Sequence, residues 1–124
     1  MPVILVLVDD PAARDPLVET LRRLFPWARL VAVRADVAVD VAFSLIGSER
    51  ATVVVASLSA AERLCRDGAP PDVTVVALTR DMSPDTLLRA EALGIAGALR
   101  APASAEPLAA VIGPFLGAPP QRDH

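Results

Sequence analysis

Residues 3–8 read Val-Ile-Leu-Val-Leu-Val, and this apolar run stops on two adjacent carboxylates, Asp9 and Asp10. A short run rich in β-branched side chains, without polar alternation, suits a strand buried on both faces. Covering both faces takes helices on either side, which implies a parallel sheet inside an α/β domain. In open sheets of that kind the ligand crevice lies at the carboxyl ends of the strands. Asp9 and Asp10 therefore mark a candidate site, and the chain after them can be read for their partners.

The elements that follow alternate regularly. Pro11 and the Asp15-Pro16 pair signal a helix entrance, and Leu17, Val18, Leu21, Leu24 and Phe25 recur at helical spacing until Pro26. Residues 29–35 form a short second strand. Asp36 is suited to cap a second helix whose stripe is Ala38, Val41, Ala42, Leu45 and Ile46, ending at Gly47. A third buried strand is predicted over 51–58. Ser59 and Glu62 have capping-box spacing for a third helix that ends in the Gly68–Pro71 stretch. A fourth strand over 73–78 ends at Thr79, and Ser83-Pro84-Asp85 opens a fourth helix that closes at Gly94. A weak fifth strand over 96–100 precedes Pro102. Ser104 then caps a last helix that turns Leu108, Val111, Ile112 and Phe115 to one side, with Pro114 expected to kink or end it. The result is five βα units in one domain over residues 1–116, and 117–124 reads as a disordered tail.

Composition narrows the function. At 124 residues the chain can bury one core, which must be built of small side chains, because only 3% of residues are aromatic. Trp27, Phe25, Phe43 and Phe115 are its expected large pieces. The net charge of −3 offers no basic footprint for nucleic acid. Every basic residue is Arg, which excludes any mechanism that needs a lysine ammonium. The single cysteine, Cys65, reads as a small buried hydrophobe, and a lone histidine at position 124 leaves no visible metal cluster. The N-terminal run is too short to span a membrane and lacks a basic leader, so the cytoplasm is the expected location.

Several short motifs, in order, resemble the receiver domain of bacterial response regulators. Val8-Asp9-Asp10 is similar to that family's acidic pair after the first strand. Thr79, closing Val75-Val76-Ala77-Leu78, matches its Thr/Ser after the fourth. Ala92-Leu93-Gly94-Ile95-Ala96-Gly97 followed by Leu99-Arg100-Ala101-Pro102 resembles its alanine-glycine-alanine and lysine-proline stretches. The resemblance spans nearly the whole chain. It implies a doubly wound five-stranded parallel sheet in flavodoxin-like order 2-1-3-4-5, with helices on both faces. It also implies a cis Ala101-Pro102 bond.

The departures from the family bear on function. The phosphoacceptor Asp at the end of the third strand corresponds to Ser57, the phosphoryl-contacting Lys to Ala101, and the switch aromatic to Ala98. The small residue after the fourth-strand Thr corresponds to Arg80. A carboxylate nucleophile forms an acyl phosphate, whereas a serine hydroxyl forms at best a phosphate ester and needs a base. Magnesium prefers an octahedral oxygen shell, which Asp9 and Asp10 alone hold weakly or not at all. Without metal the paired carboxylates repel, so Arg80 is expected to lie across the pocket mouth and pair with Asp9 or Asp10.

The resemblance then implies a degenerate receiver, or pseudo-receiver, with a vestigial acidic pocket of Asp9, Asp10, Ser57, Thr79, Arg80 and Ala101. Such a protein is not an enzyme, needs no cofactor, and works by phosphorylation-independent contact with a signalling protein or a second copy of itself. In the family that contact uses the fourth helix, fifth strand and fifth helix, here Leu87, Leu88, Arg89, Ala98, Arg100, Pro107 and Val111. The absence of an output domain implies that the controlled protein is separate or that the chain belongs to a longer one. Blander readings also fit: the Asp pair as a helix cap, Thr79 as a local backbone partner, Ser57 as an inert strand end. Two other functions stay open: a sensor of a small molecule or nucleotide in the same crevice, and a receiver phosphorylated at a non-standard site.

Overall fold

A computed structural model describes residues 2–8, 10–33, 44, 46–47, 52–68, 73–101 and 103–116. Strand β1 is Val3–Leu7, and all five of its residues are buried. It lies between β2 (Arg29–Val33) and β3 (Val53–Ser57), with β4 (Thr74–Thr79) and β5 (Gly97–Arg100) beyond, so the order is β2-β1-β3-β4-β5. All four pairings are parallel, with Leu5 opposite both Val31 and Val54.

Successive side chains of a strand point to opposite faces, so each buried strand feeds two cores. Val3, Leu5 and Leu7 join Val54, Ala56, Val75 and Ala77 on one face. That face is covered by α3 (Leu58–Arg66), by α4 (Pro84–Ala92), and by α2, of which residues 44, 46 and 47 are described. Ile46, Leu64 and Ala90 are their inward contributions. Ile4, Val6, Val55, Val76 and Leu99 face the other side, where α1 (Pro11–Leu24) and α5 (Ala105–Leu116) bring Leu17, Leu21, Leu108 and Ile112. Among the described residues no helix is long and apolar enough to cross a membrane.

Several elements begin or end away from their expected places. Helix α1 starts at Pro11 with Asp10 as N-cap, its carboxylate accepting from Ala12 N at 3.0 Å, so Asp15 and Pro16 lie inside the helix. Pro11 suits the first helical position, because its missing N–H would be unpaired there anyway. Helix α3 starts at Leu58, directly after Ser57, so Ser59 falls within its first turn and no capping box forms. Leu58 packs against the core there. Fully burying a Leu stabilises by about 1.5–3 kcal/mol, so even the partial burial of Leu58 rivals the ~1 kcal/mol of a typical cap.

In α5 the helix runs past Pro114 to Leu116, and Phe115 is 44% exposed rather than in the core. Leu108, Ile112 and Leu116 recur every four residues and supply the inward stripe, which leaves Phe115 outside it. Trp27 packs edge-on to Phe25 with ring centroids 5.6 Å apart. The second strand is described to Val33. The Asp36 cap, the stripe residues Ala38, Val41, Ala42 and Leu45, Phe43, the Pro102 bond and the 117–124 tail lie outside the described residues.

Helix α4 does follow its signals. Ser83 Oγ accepts from Thr86 N, Pro84 opens the helix, and Gly94 at φ +89 carries the chain through the left-handed turn after it. Gly97 has a different role. A Cβ built there would stand 2.9 Å from Val111 Cγ1, so the absence of a side chain lets α5 lie close on β5. Gly97→Ala is expected to destabilise by roughly 1 kcal/mol, overpacking being partly offset by the lower entropy of the unfolded chain. Adding Val111→Ala should remove most of that penalty in a denaturant double-mutant cycle.

Candidate functional site

The strand order reverses between β1 and β3, so the crevice opens where their carboxyl ends part. A cavity of about 220 Å³ sits there, lined by Val8, Asp10, Ala13, Ser57, Leu78, Thr79, Arg80 and Ala101. A second hollow of about 200 Å³ lies along Asp10, Ala12, Ala13, Arg80 and Ala101. The fold thus brings together five of the pocket residues expected from sequence: Asp10, Ser57, Thr79, Arg80 and Ala101. Asp9 lies outside the described residues.

Each group reaches the cavity for a local reason. One carboxylate oxygen of Asp10, Oδ1, is committed to capping α1. Ser57 is the N-cap position of α3, yet its hydroxyl makes no capping bond, so neither it nor the first N–H groups of α3 satisfy each other. Ala101 is tied in by its N–H, which donates to Thr79 O at 2.9 Å. Its short side chain adds an apolar wall. Arg80 is exposed and lines both hollows; among the described residues it forms no ion pair with Asp10, and the alternative partner, Asp9, lies outside them.

Thr79 is buried and occupied locally. Its hydroxyl donates to Asp81 O at 3.2 Å and accepts from Asp81 N at 3.0 Å, closing the turn between β4 and α4. Asp81, which sequence reading did not single out, is the hub of that turn. Its Oδ1 accepts from Ser83 N at 3.0 Å and its Oδ2 from the Thr86 hydroxyl at 2.6 Å. Ser83 Oγ in turn donates to Thr86 Oγ1 at 3.0 Å. Asp81, Ser83 and Thr86 at spacings of two and three form an Asx-type turn ahead of a capped helix, a pattern visible in the sequence.

A divalent cation needs several hard oxygens. Among the described residues no group of three His, Cys, Asp or Glu side chains is placed to hold a metal. Asp10, with one oxygen already capping, does not make a shell by itself.

The residues expected on the outer face are spread over α4, β5 and α5. Leu88 is 64% exposed, Arg100 and Pro107 are exposed, and Leu87 and Ala98 are half-buried. Val111 is partly turned inward against the core. Arg89 Nε lies 3.5 Å from Glu62 Oε2, and Glu62 also accepts from Arg66 at 3.2 Å, so a carboxylate on α3 holds one arginine of its own helix and one of α4. Cys65 is half-buried, and burial raises its thiol pKa, which makes it a poor nucleophile.

Searches of known proteins agree with this geometry. A signal receiver domain of a DNA-binding response regulator from Colwellia psychrerythraea 34H superposes with a TM-score of 0.77 at 23% identity, over 94% of this chain and 98% of that one. The fold is that of a receiver domain. A CheY-like protein, tadZ, from Pseudomonas aeruginosa PAO1 matches the receiver fold over 99% of each chain at 19% identity and a TM-score of 0.73. A putative pilus assembly-related protein from Burkholderia pseudomallei K96243 matches 99% of this chain and 95% of its own at 23% identity and a TM-score of 0.72. No protein-family model matches the chain, and no curated protein matches it significantly.

The hydrogen bonds from Thr86 and Ser83, the largest causes, hold the Asp81 carboxyl below its ordinary pKa. A depressed pKa means that its contribution to stability is present above the unfolded value of about 3.9 and fades as pH falls through the folded one. Thermal melts of the wild-type receiver fold and Asp81→Asn should differ at neutral pH and converge in acid.

Proposed function

We propose that this chain is a receiver-fold interaction module that does not carry out phosphoryl transfer and acts in bacterial signalling by docking on another protein or on its own copy. The observation that carries this reading is Ser57, which ends β3 at the cavity where a carboxylate nucleophile would be required. A serine hydroxyl needs a general base, and the described cavity contains neither His nor Lys. Ala101 presents a methyl group where a cation would have to meet a phosphoryl oxygen. Thr79 has its hydroxyl engaged by Asp81, so it is not waiting for a ligand. In this reading the module is not an enzyme, any magnesium held by Asp9 and Asp10 is bound weakly, and the protein works in the cytoplasm.

The docking face in this reading is α4–β5–α5, with Leu88, Arg89, Arg100 and Pro107 as its exposed members. Two structures of the same fold carry pilus-assembly descriptions, from Burkholderia thailandensis and Burkholderia pseudomallei. On that likeness, pilus-assembly proteins belong with two-component signalling proteins among the partners to be tried.

Incubation with magnesium and acetyl phosphate, followed by intact mass measurement, is expected to give no adduct. A mass gain labile to hydroxylamine would mean an acyl phosphate on a carboxylate and would overturn the reading. Leu88→Glu is expected to change stability by no more than about 0.5 kcal/mol, as exposed substitutions usually do. It should nevertheless abolish binding to the partner, or dissociate a homodimer in sedimentation.

A further inference from the structure

The cavity at the end of β1, β3 and β4 carries opposite charges on its rim that do not meet. Asp10 and Arg80 line both hollows, yet no ion pair joins them. Asp10 Oδ1 caps α1, and among the described residues nothing bonds to Oδ2. Close to these charges lie the Ser57 hydroxyl, which makes no capping bond, and the N-terminal turn of α3, whose N–H groups that hydroxyl leaves uncapped. The remaining walls are Val8, Leu78, Ala13 and Ala101. At about 220 Å³ the space falls below the ~300–1,000 Å³ of sites for drug-sized ligands, which sets the scale at a small metabolite.

We infer that this cavity binds a small zwitterion, an α-amino acid with a short aliphatic side chain. Its ammonium group meets the free oxygen of Asp10. Its carboxylate lies between the Arg80 guanidinium, the Ser57 hydroxyl and the amino end of α3, where the helix dipole favours negative charge. Its side chain rests on Val8, Leu78 and Ala101. A lone anion would leave Asp10 repelling it, and a lone cation would leave Arg80 and the helix end unsatisfied. A zwitterion satisfies both. The inference rests on the reading that the cavity no longer serves phosphoryl transfer. It extends that reading by giving the docking module an input.

The test is titration of the full chain with L-valine, isobutylamine and isovalerate, read by calorimetry and by amide chemical shifts at residues 57, 80 and 101. Valine is expected to bind at millimolar concentration or tighter, and each half-molecule about tenfold more weakly, the loss of one charged hydrogen bond. Asp10→Asn should remove the advantage of valine over isovalerate, by weakening valine and, with the repelling charge gone, tightening isovalerate. Ala101→Leu should fill the cavity and abolish valine binding, with unligated thermal melts confirming that both variants fold. Half-molecules that bind as well as valine would overturn the inference, as would the absence of any shift with valine, leucine or alanine. An acyl phosphate in the mass experiment would overturn the reading beneath it, whereas failed titrations without an adduct would overturn this inference alone.

Discussion

Strand β1 must be buried on both faces, and the rest of the molecule depends on that. Ile4, Leu5 and Val6 have no exposed surface. A strand in that position cannot be an edge, so β2 and β3 flank it, and it cannot be one wall of a two-layer sandwich with an open side, so helices cover both faces. The order β2-β1-β3-β4-β5 follows once the chain winds first one way and then the other from β1. The reversal leaves a gap between the ends of β1 and β3, and the cavity lies there. Burial at one end of the sequence thus fixes where chemistry can occur at the ends of three other strands.

What occupies the gap differs from what a phosphoryl-transfer site needs. The turn between β4 and α4 is closed on itself by Thr79, Asp81, Ser83 and Thr86, each of which uses its polar atoms on the others. The turn after β3 is absent, because α3 begins at Leu58. Two of the four strand ends around the cavity are therefore set by local hydrogen bonding or by core burial. Among the described residues, the charges at the cavity are Asp10 and Arg80, on the rim and within reach of solvent.

How much of this was legible in the sequence depended on whether a single force acted at each position. The unbroken apolar runs of β1, β3 and β4 announced themselves because burial alone sets them. The Ser83-Pro84 start of α4 was equally plain, since cap and proline agree. The Ser59–Glu62 spacing misled because burial of Leu58 competed with the cap and won, which freed Glu62 for two arginines. Phe115 misled because helical spacing admits both Phe115 and Leu116 to the inner stripe, and only the packing chooses Leu116. At the site, the strand ends were readable from the order of motifs. The spacing of Asp81, Ser83 and Thr86 is visible in the sequence but does not mark a hub, because the same turn residues recur in many loops.

Glu62 bears on how this sequence can drift. Its side chain is only 12% exposed and receives Arg66 from its own helix and Arg89 from the next. The arrangement is asymmetric. Losing either arginine leaves one opposite-charge pair intact, whereas losing Glu62 leaves two guanidinium groups side by side with nothing between them. Position 62 is therefore the more constrained of the three. Evolutionary change at the seam between α3 and α4 should begin at an arginine, with the acidic position following only after one of its partners has gone.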